Sequence, residues 1–104
     1  QSPPSLRMVN INDVVNRAFE LAGHSAELQG IEVIKELDPS LPQLQADFEQ
    51  LQQVYTNLIL NSIQAMSQGG KLTLRTFASD GWVKVEVKEN EFSRLQKARW
   101  KSWR

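Results

Sequence analysis

The strongest pattern along the chain is a helical repeat of apolar positions in DFEQLQQVYTNLILNSIQAM, residues 47–66. At about 100° per residue, one stripe collects Leu51, Val54, Tyr55, Leu58, Ser62, Ala65 and Met66. Asp47 is a residue type that caps a helix start, and Gly69 with Gly70 would end the helix. The pattern predicts an amphipathic helix whose stripe packs against a sheet or another helix.

A second helix is predicted over about residues 11–28. Asn10 or Asn12 can cap its start, and Gly30 is a plausible stop. The apolar residues at helical spacing are Val14, Val15, Ala18, Phe19 and Ala22.

The remaining regular patterns are those of strands. Residues 31–37 are short, rich in β-branched types and followed by the turn-forming sequence DPSLP, and residues 43–47 are a candidate for a further short strand. KLTLRTFA and WVKVEVK alternate around SDG, which is typical of an antiparallel hairpin. The predicted fold class is an α/β two-layer sandwich, with two helices packed on a mostly antiparallel sheet.

The two ends lack such patterns. Pro3 and Pro4 indicate an irregular linker over residues 1–9. From Glu89 the alternation is lost, so residues 89–104 are expected to form only a weak, frayed helix beside a domain at 10–88. The strand at 82–88 would then keep an exposed edge, which predicts homo-oligomers paired through that edge or through the tail.

Composition limits the class of protein. A chain of 104 residues is enough for one domain with one core, and it contains no apolar run of the roughly 20 residues that a membrane span needs. It has no cysteine and no signal-peptide pattern at its start. We therefore expect a soluble, cytoplasmic chain without a membrane partner.

Charge separates the tail from the body. Residues 1–93 carry seven basic and twelve acidic side chains, whereas residues 94–104 carry five basic ones and no acidic one. A nucleic-acid contact through this tail is not the favoured interpretation, because a terminal run of charge is commonly just solvated. An alternative function is an interaction or assembly module whose basic, tryptophan-containing tail contacts an anionic partner.

A row of side-chain amides borders the helical stripe, formed by Gln50, Asn57, Asn61 and Gln64. A carboxamide offers a carbonyl acceptor and two donors, so it can ligate a hard cation through oxygen and donate to phosphate oxygens. An uncharged arc of this kind is also typical of a plain solvated helix face. The pattern alone leaves both interpretations open.

The arrangement of Gln53-Val54, Asn57-Leu58, Asn61-Ser62 and Ala65 resembles the N box, QVxxNLxxNAxxA, of the ATP-binding domain of sensor histidine kinases. That domain belongs to the ATPase superfamily that includes gyrase and the heat-shock chaperone ATPases. The NSIQAM ending and the following GGKLTLRT are most similar to the nitrogen-regulation type of sensor kinase. The resemblance covers roughly residues 6–88, the first half of the domain.

The resemblance implies roles for three amides. Asn61 would ligate Mg²⁺, while Asn57 and Gln64 would lie near the phosphates of ATP. It also implies that the intact parent autophosphorylates a histidine, on a separate dimerisation and phosphoacceptor domain, and passes the phosphoryl group to a response regulator.

The chain departs from the family after WVKVEVK. The family has Asp-x-Gly-x-Gly there, with the aspartate accepting from the adenine amino group, whereas this chain has Glu89-Asn90-Glu91. Either the glycine motif has been skipped, or residues 89–104 are non-native sequence from a shifted frame or a vector. No catalytic residue is assigned, because the sole histidine, His24, is expected to be a surface helix residue. We expect an inactive fragment that binds ATP and Mg²⁺ weakly or not at all.

Overall fold

A computed structural model describes residue 3 and residues 5–90 and 92–99. In chain order the elements are β1 (Leu6–Val9), α1 (Ile11–Leu28), β2 (Ile31–Glu36), β3 (Leu44–Asp47), α2 (Phe48–Gln64), β4 (Gly70–Ser79), β5 (Trp82–Glu89) and β6 (Phe92–Arg99). The predicted helices and the predicted strands at 31–37, 43–47 and in the hairpin are all present, with bounds that differ by a few residues.

Both helices begin at the predicted cap residues. The Asn10 side chain accepts from the Asn12 backbone N–H at 2.9 Å, which satisfies one of the unpaired donors of the first turn of α1. The Asp47 carboxylate accepts from the Gln50 N–H at 3.1 Å at the start of α2, and from the Ser5 N–H at 2.8 Å. These backbone hydrogen bonds lower the pKa of Asp47, the one from Ser5 most of all.

The buried stripe of α2 is rotated from the predicted one. Tyr55, Ser62 and Met66 are buried as expected, but Ile59 and Ile63 are also fully buried and were missed, while Val54 is 42% exposed. The prediction was wrong at Val54 and Ala65 because hydrophobicity alone does not say which edge of a broad apolar arc meets the sheet.

The main sheet has the strand order β2-β4-β5-β6. β2 pairs with β4 in parallel, and β4–β5 and β5–β6 are antiparallel, so the sheet is mixed and mostly antiparallel as predicted. Asp80 and Gly81, both with positive φ, form the two-residue turn between β4 and β5. Alternate residues of these strands, Leu72, Leu74, Val83, Val85 and Val87, are buried.

Residues 6–9 are not irregular. They form β1, which pairs antiparallel with β3 in a separate two-stranded sheet, with Val9 buried in the core. Three of the four side chains of β1 are exposed, so its sequence shows no alternation. The strand is held by main-chain pairing with β3 and by the hydrogen bond from the Ser5 N–H to the Asp47 carboxylate.

The predicted frayed helix after Glu89 is also wrong. Asn90, with φ of 54°, follows the end of β5, and Phe92–Arg99 form β6 along β5, with Phe92 opposite Glu89. The edge of β5 that was expected to be exposed is therefore paired within the chain, and the predicted pairing between copies through that edge is wrong. Trp100 and Trp103, on which the tail-contact alternative depends, lie outside the described residues.

The two helices form the second layer over the apolar face of the sheet. One cluster of buried side chains joins α1, α2 and the sheet, and includes Val14, Ala18, Ile59, Leu74 and Val85. The fold is the predicted two-layer sandwich, and it leaves the opposite face of α2 exposed.

Candidate functional site

The row of amides occupies the exposed face of α2. Asn57, Asn61 and Gln64 are all exposed, and their spacing of four and three residues places them on one side of the helix. Within the described part of the chain, none of the three carboxamides makes a hydrogen bond to another residue. Their oxygens and N–H groups are therefore available to a ligand.

The end of α2 is fixed from the end of α1. The Gln29 carboxamide donates to the carbonyl of Ile63 at 3.0 Å and to that of Met66 at 3.1 Å. The same two carbonyls also accept from the backbone N–H groups of Met66 and Gly69, so the Gln29 carboxamide adds a second hydrogen bond to each and joins the two helix ends. Sequence reasoning missed Gln29, because a polar residue at a helix end carries no signal of a bond formed over more than thirty residues.

The same end of the molecule contains the start of β4 and the turn after β5. The Asn90 backbone N–H donates to the Lys71 carbonyl at 2.9 Å, and its Oδ1 accepts from the Lys71 N–H at 3.0 Å. A Cβ on Gly70 would lie 2.5 Å from that Oδ1, so only glycine leaves room for this contact. The positive φ of Gly70, 133°, and this contact with Asn90 together favour glycine at the second position of the Gly-Gly pair.

Glu89 occupies the position that the resemblance assigns to the adenine-binding aspartate. It ends β5 beside the start of β4, pairs with Leu72 and is 8% exposed. Because α2 leads through residues 65–69 to the start of β4, Glu89 and the C-terminal end of the amide row lie at the same end of the sheet. Glu91, which stands in place of the first glycine of the motif, lies outside the described residues.

A groove of about 650 Å³ lies beside the N-terminal half of α2. It is bordered by Ser5, Leu21, Gln53 and Asn57, whereas Asn61 and Gln64 do not contribute to it. The groove and the amide row are therefore different surfaces that share Gln50 and Asn57. Leu21, 48% exposed on α1, is the sequence signal for this groove, because it is an apolar residue off the buried stripe.

The amides are compatible with a metal ion that is coordinated mainly by phosphate oxygens and water rather than by protein side chains. Among the described residues, no group of three or more histidine, cysteine, aspartate or glutamate side chains could hold a metal ion. Mg²⁺ commonly takes only one or two ligands from the protein and completes its shell with phosphate oxygens and water. A single carboxamide oxygen from Asn61 fits that mode.

Two other groups have structural roles. His24 is an exposed residue of α1, with Nδ1 3.8 Å from Oε1 of Glu27, as expected of a surface histidine. Burial raises the pKa of Tyr55, on the buried face of α2, to about 12, so its phenol stays neutral. Over the described residues, neither helix is both long and apolar enough to cross a bilayer.

Comparison with known proteins yields relatives of one kind, although no protein-family model matches the chain. The sensory histidine kinase/phosphatase NtrB of Rhodobacter capsulatus is 40% identical over 75 residues, which is 72% of this chain and 21% of that protein. The sensor histidine kinase ZraS of Escherichia coli O157:H7 is 33% identical over 86 residues, which is 83% of this chain and 19% of that protein. The chain spans about a fifth of the length of these curated relatives.

Solved structures share the fold of this chain. Full-length ShkA in complex with AMPPNP matches with a TM-score of 0.72 and 29% identity, over 83% of this chain and 19% of that one. The nucleotide-free catalytic domain of histidine kinase ThkA matches with a TM-score of 0.73 and 24% identity, over 80% of this chain and 56% of that domain. A complex of ThkA with the response regulator protein TrrA matches with a TM-score of 0.71 and 24% identity, over 79% of this chain and 25% of that one.

Proposed function

This chain is a fragment of the ATP-binding domain of a sensor histidine kinase, and on that premise we propose that the exposed amides of α2 form the metal- and phosphate-facing wall of its nucleotide site. The observation that carries the proposal is the row itself. Asn57, Asn61 and Gln64 lie at N-box spacing on the solvent-exposed face of α2, and their side chains form no hydrogen bond to other described residues.

The three amides have two roles in this proposal. The Oδ1 atom of Asn61 ligates Mg²⁺, and the N–H groups of Asn57 and Gln64 donate to phosphate oxygens. When bound, the metal ion neutralises charge on the phosphates. The three side chains position the metal ion and the phosphates. The helix that carries them, α2, is held at its start by the Asp47 cap and at its end by the hydrogen bonds from Gln29.

The same chain holds nucleotide weakly, with an affinity in the millimolar range. Glu89 replaces aspartate at the adenine position, and its longer side chain moves the carboxylate by one methylene. Glu89 pairs with Phe92, so only two residues of the sequence separate β5 from β6, too few to close over a nucleotide. The sequence also has the negatively charged Glu91 where the family has glycine, and this charge disfavours an anionic ligand.

Phosphoryl transfer by this chain alone is not expected. His24, its sole histidine, is an exposed residue of α1 near Glu27. In the intact parent, the ATP γ-phosphoryl group would pass to a histidine of the dimerisation and phosphoacceptor domain, and from there to an aspartate of a response regulator. The dimerisation and phosphoacceptor domain and the response regulator are therefore partners that we propose for the parent.

The first test is a titration of the chain with Mg²⁺ and a non-hydrolysable ATP analogue, followed by NMR of the side-chain amide signals. We expect the signals of Asn57, Asn61 and Gln64 to shift in a saturable way at millimolar nucleotide. Asn61→Ala removes the metal ligand and should abolish the shifts of the other two amides.

The matched control is Gln45→Ala, which removes an exposed amide from β3 and should leave the titration unchanged. Omitting Mg²⁺ should weaken binding to the wild-type chain and have no effect on Asn61→Ala. An absence of shifts at millimolar nucleotide would refute the amide site in this chain, and saturation at micromolar nucleotide would refute the weak affinity.

A further inference from the structure

The outer edge of β2 is open within the described part of the chain. In the order β2-β4-β5-β6, β2 pairs with β4 on one side and with no strand among residues 5–90 and 92–99 on the other. Successive residues of a strand direct their N–H and C=O groups to alternate sides, so half of these groups on β2 point away from β4. Such an edge can accept an extended segment of another molecule as an additional strand.

An apolar groove of about 550 Å³ lies along this edge, between α1 and β2. Its apolar lining comes from Phe19 and Ala26 on α1 and from Ile31 and Val33 on β2. Gly23 leaves room for the Phe19 ring, because a Cβ at that position would lie 3.0 Å from the ring. The groove can therefore receive an apolar side chain from the helix-facing side of a strand added to β2.

Lys35 also lines the groove, and a lysine on an edge strand is a common device against unwanted pairing. Here its ammonium group lies 3.2 Å from Oδ1 of Asn16 and 4.8 Å from the centroid of the Phe19 ring. The Lys35 side chain is thus held against α1, which leaves the edge beside Val33 open.

Acidic side chains border the edge on both faces. Glu32 and Glu36 are exposed on the face of β2 that points away from the helices, and neither forms an ion pair with another described residue. On the helix side, Glu20 and Glu27 line the groove, and Glu20 is paired with Arg17 at 3.0 Å. Positive charge on an incoming strand is therefore favoured at this edge.

The adjacent strand β4 does not pair with these carboxylates. Lys71 is opposite Glu32 and Arg75 is opposite Glu36, but the Arg75 guanidinium forms its ion pair with Glu86 on β5, at 3.2 Å. A second copy of β2 is a poor occupant of the edge, because the glutamates of the two copies would face each other. The charges favour a different, basic strand.

We propose that the β2 edge binds an extended segment of a partner protein, which adds to the sheet as a strand with basic residues level with Glu32 and Glu36 and an aromatic residue in the groove beside Val33. Side chains alternate between the two faces of a strand, so the recognised pattern is basic, apolar, any residue, apolar, basic. This inference does not depend on nucleotide binding.

The test is a titration of the isotope-labelled chain with the terminally blocked peptide GSRFTFRSG, followed by NMR of the main-chain amides. This peptide reads the same in both directions, so it presents the pattern to β2 as a parallel or an antiparallel strand. We expect saturable shifts of the amide signals of residues 31–36. Alternate residues among them should exchange their amide hydrogens about tenfold more slowly at saturation, because their N–H groups become hydrogen-bonded.

Two further peptides separate strand addition from simple attraction of charge. GSRRTFFSG has the same composition and charge but lacks the alternation, and GSRSTSRSG keeps the charge and the alternation but lacks the aromatic residues. Each should bind about tenfold more weakly or worse, since one cannot place its side chains on the correct faces and the other leaves the groove empty. Equal affinity of either peptide would overturn the proposal.

Reversing the charge of the edge tests the choice of partner. Glu32→Lys with Glu36→Lys should weaken binding of GSRFTFRSG by about tenfold or more and should bind the acidic peptide GSEFTFESG instead. The control Asp13→Lys with Glu49→Lys makes the same change in net charge at exposed positions of the two helices, and should bind only the basic peptide. Circular dichroism melts establish that each variant is folded.

Three results would overturn the proposal. The first is an absence of saturable shifts in residues 31–36 at millimolar GSRFTFRSG, and the second is a failure of the folded β2 variant to bind GSEFTFESG. The third is concentration-dependent self-association of the chain, measured by light scattering, that GSRFTFRSG reverses, because a second copy would then occupy the edge.

Discussion

At the scale of single residues, Ser62 is the exception in the core. It is fully buried on α2, and among the described residues its hydroxyl is the one buried side-chain polar atom without a hydrogen-bond partner. The N-box pattern has alanine at this position. A buried hydroxyl without a partner loses its hydration and gains nothing in return.

We predict that Ser62→Ala stabilises the chain by about 1 kcal/mol, because it removes an unsatisfied polar group and alanine is the better helix former. Urea unfolding should show a higher midpoint at an unchanged slope. Ser25→Ala, at a half-buried position of α1, serves as the control and should change stability by only a few tenths of a kcal/mol. A loss of stability in Ser62→Ala would show that the hydroxyl has a partner in solution.

At the scale of elements, the contact between Gly70 and Asn90 joins the start of β4 to the turn between β5 and β6. Two hydrogen bonds between Asn90 and Lys71 hold this turn against β4. Gly70 has φ of 133°, a backbone conformation that residues other than glycine rarely adopt. A Cβ added to Gly70 would meet the Asn90 carboxamide. β6 is therefore positioned by β4 as well as by its own pairing with β5.

Gly70→Ala should destabilise the chain by about 2 kcal/mol or more, because the new Cβ meets the Asn90 Oδ1 and the backbone is strained. Gly30→Ala is the matched control: Gly30 has φ of 67°, but a Cβ there meets nothing within 4 Å. That variant should cost about 1 kcal/mol, the backbone term alone. Equal effects in thermal or urea unfolding would refute the contact with Asn90.

At the scale of the whole molecule, one polar network joins the helical layer to the sheet. The Thr76 hydroxyl on β4 donates to Oδ1 of Asn12 at 2.7 Å and accepts from the Asp38 N–H at 2.9 Å. The Asn12 side chain in turn donates to the Asp38 carbonyl at 2.7 Å. Three segments that are distant in the chain are fixed together at one edge of the core.

Thr76→Val keeps the shape of this buried side chain but leaves the Asp38 N–H and the Asn12 carbonyl oxygen without their partner. We expect a loss of about 1–3 kcal/mol in the free energy of unfolding, measured in urea. Thr73→Val, on the opposite face of the same strand, is the control and should be nearly neutral, since Thr73 is half-buried and takes part in no hydrogen bond of its side chain among the described residues. Equal losses would refute the network.

The candidate site was predictable only in part. The exposure of Asn57, Asn61 and Gln64 agrees with the arc read from the helical period, and their roles toward ATP and Mg²⁺ remain predictions. Gln29 and Asn90 could not have been found, because each acts on a segment that is close in space and far along the chain.

What the sequence determined by itself is local. Helical period and cap residues defined α1 and α2, and alternation around Asp80 and Gly81 defined the hairpin, because those signals depend on neighbours within a few residues. The tertiary structure alone decided that residues 6–9 and 92–99 are strands. Both gain their stability from main-chain pairing with β3 and β5, which leaves no period in the side chains. It also decided which edges of the sheet stay open, since that depends on the order of all strands at once.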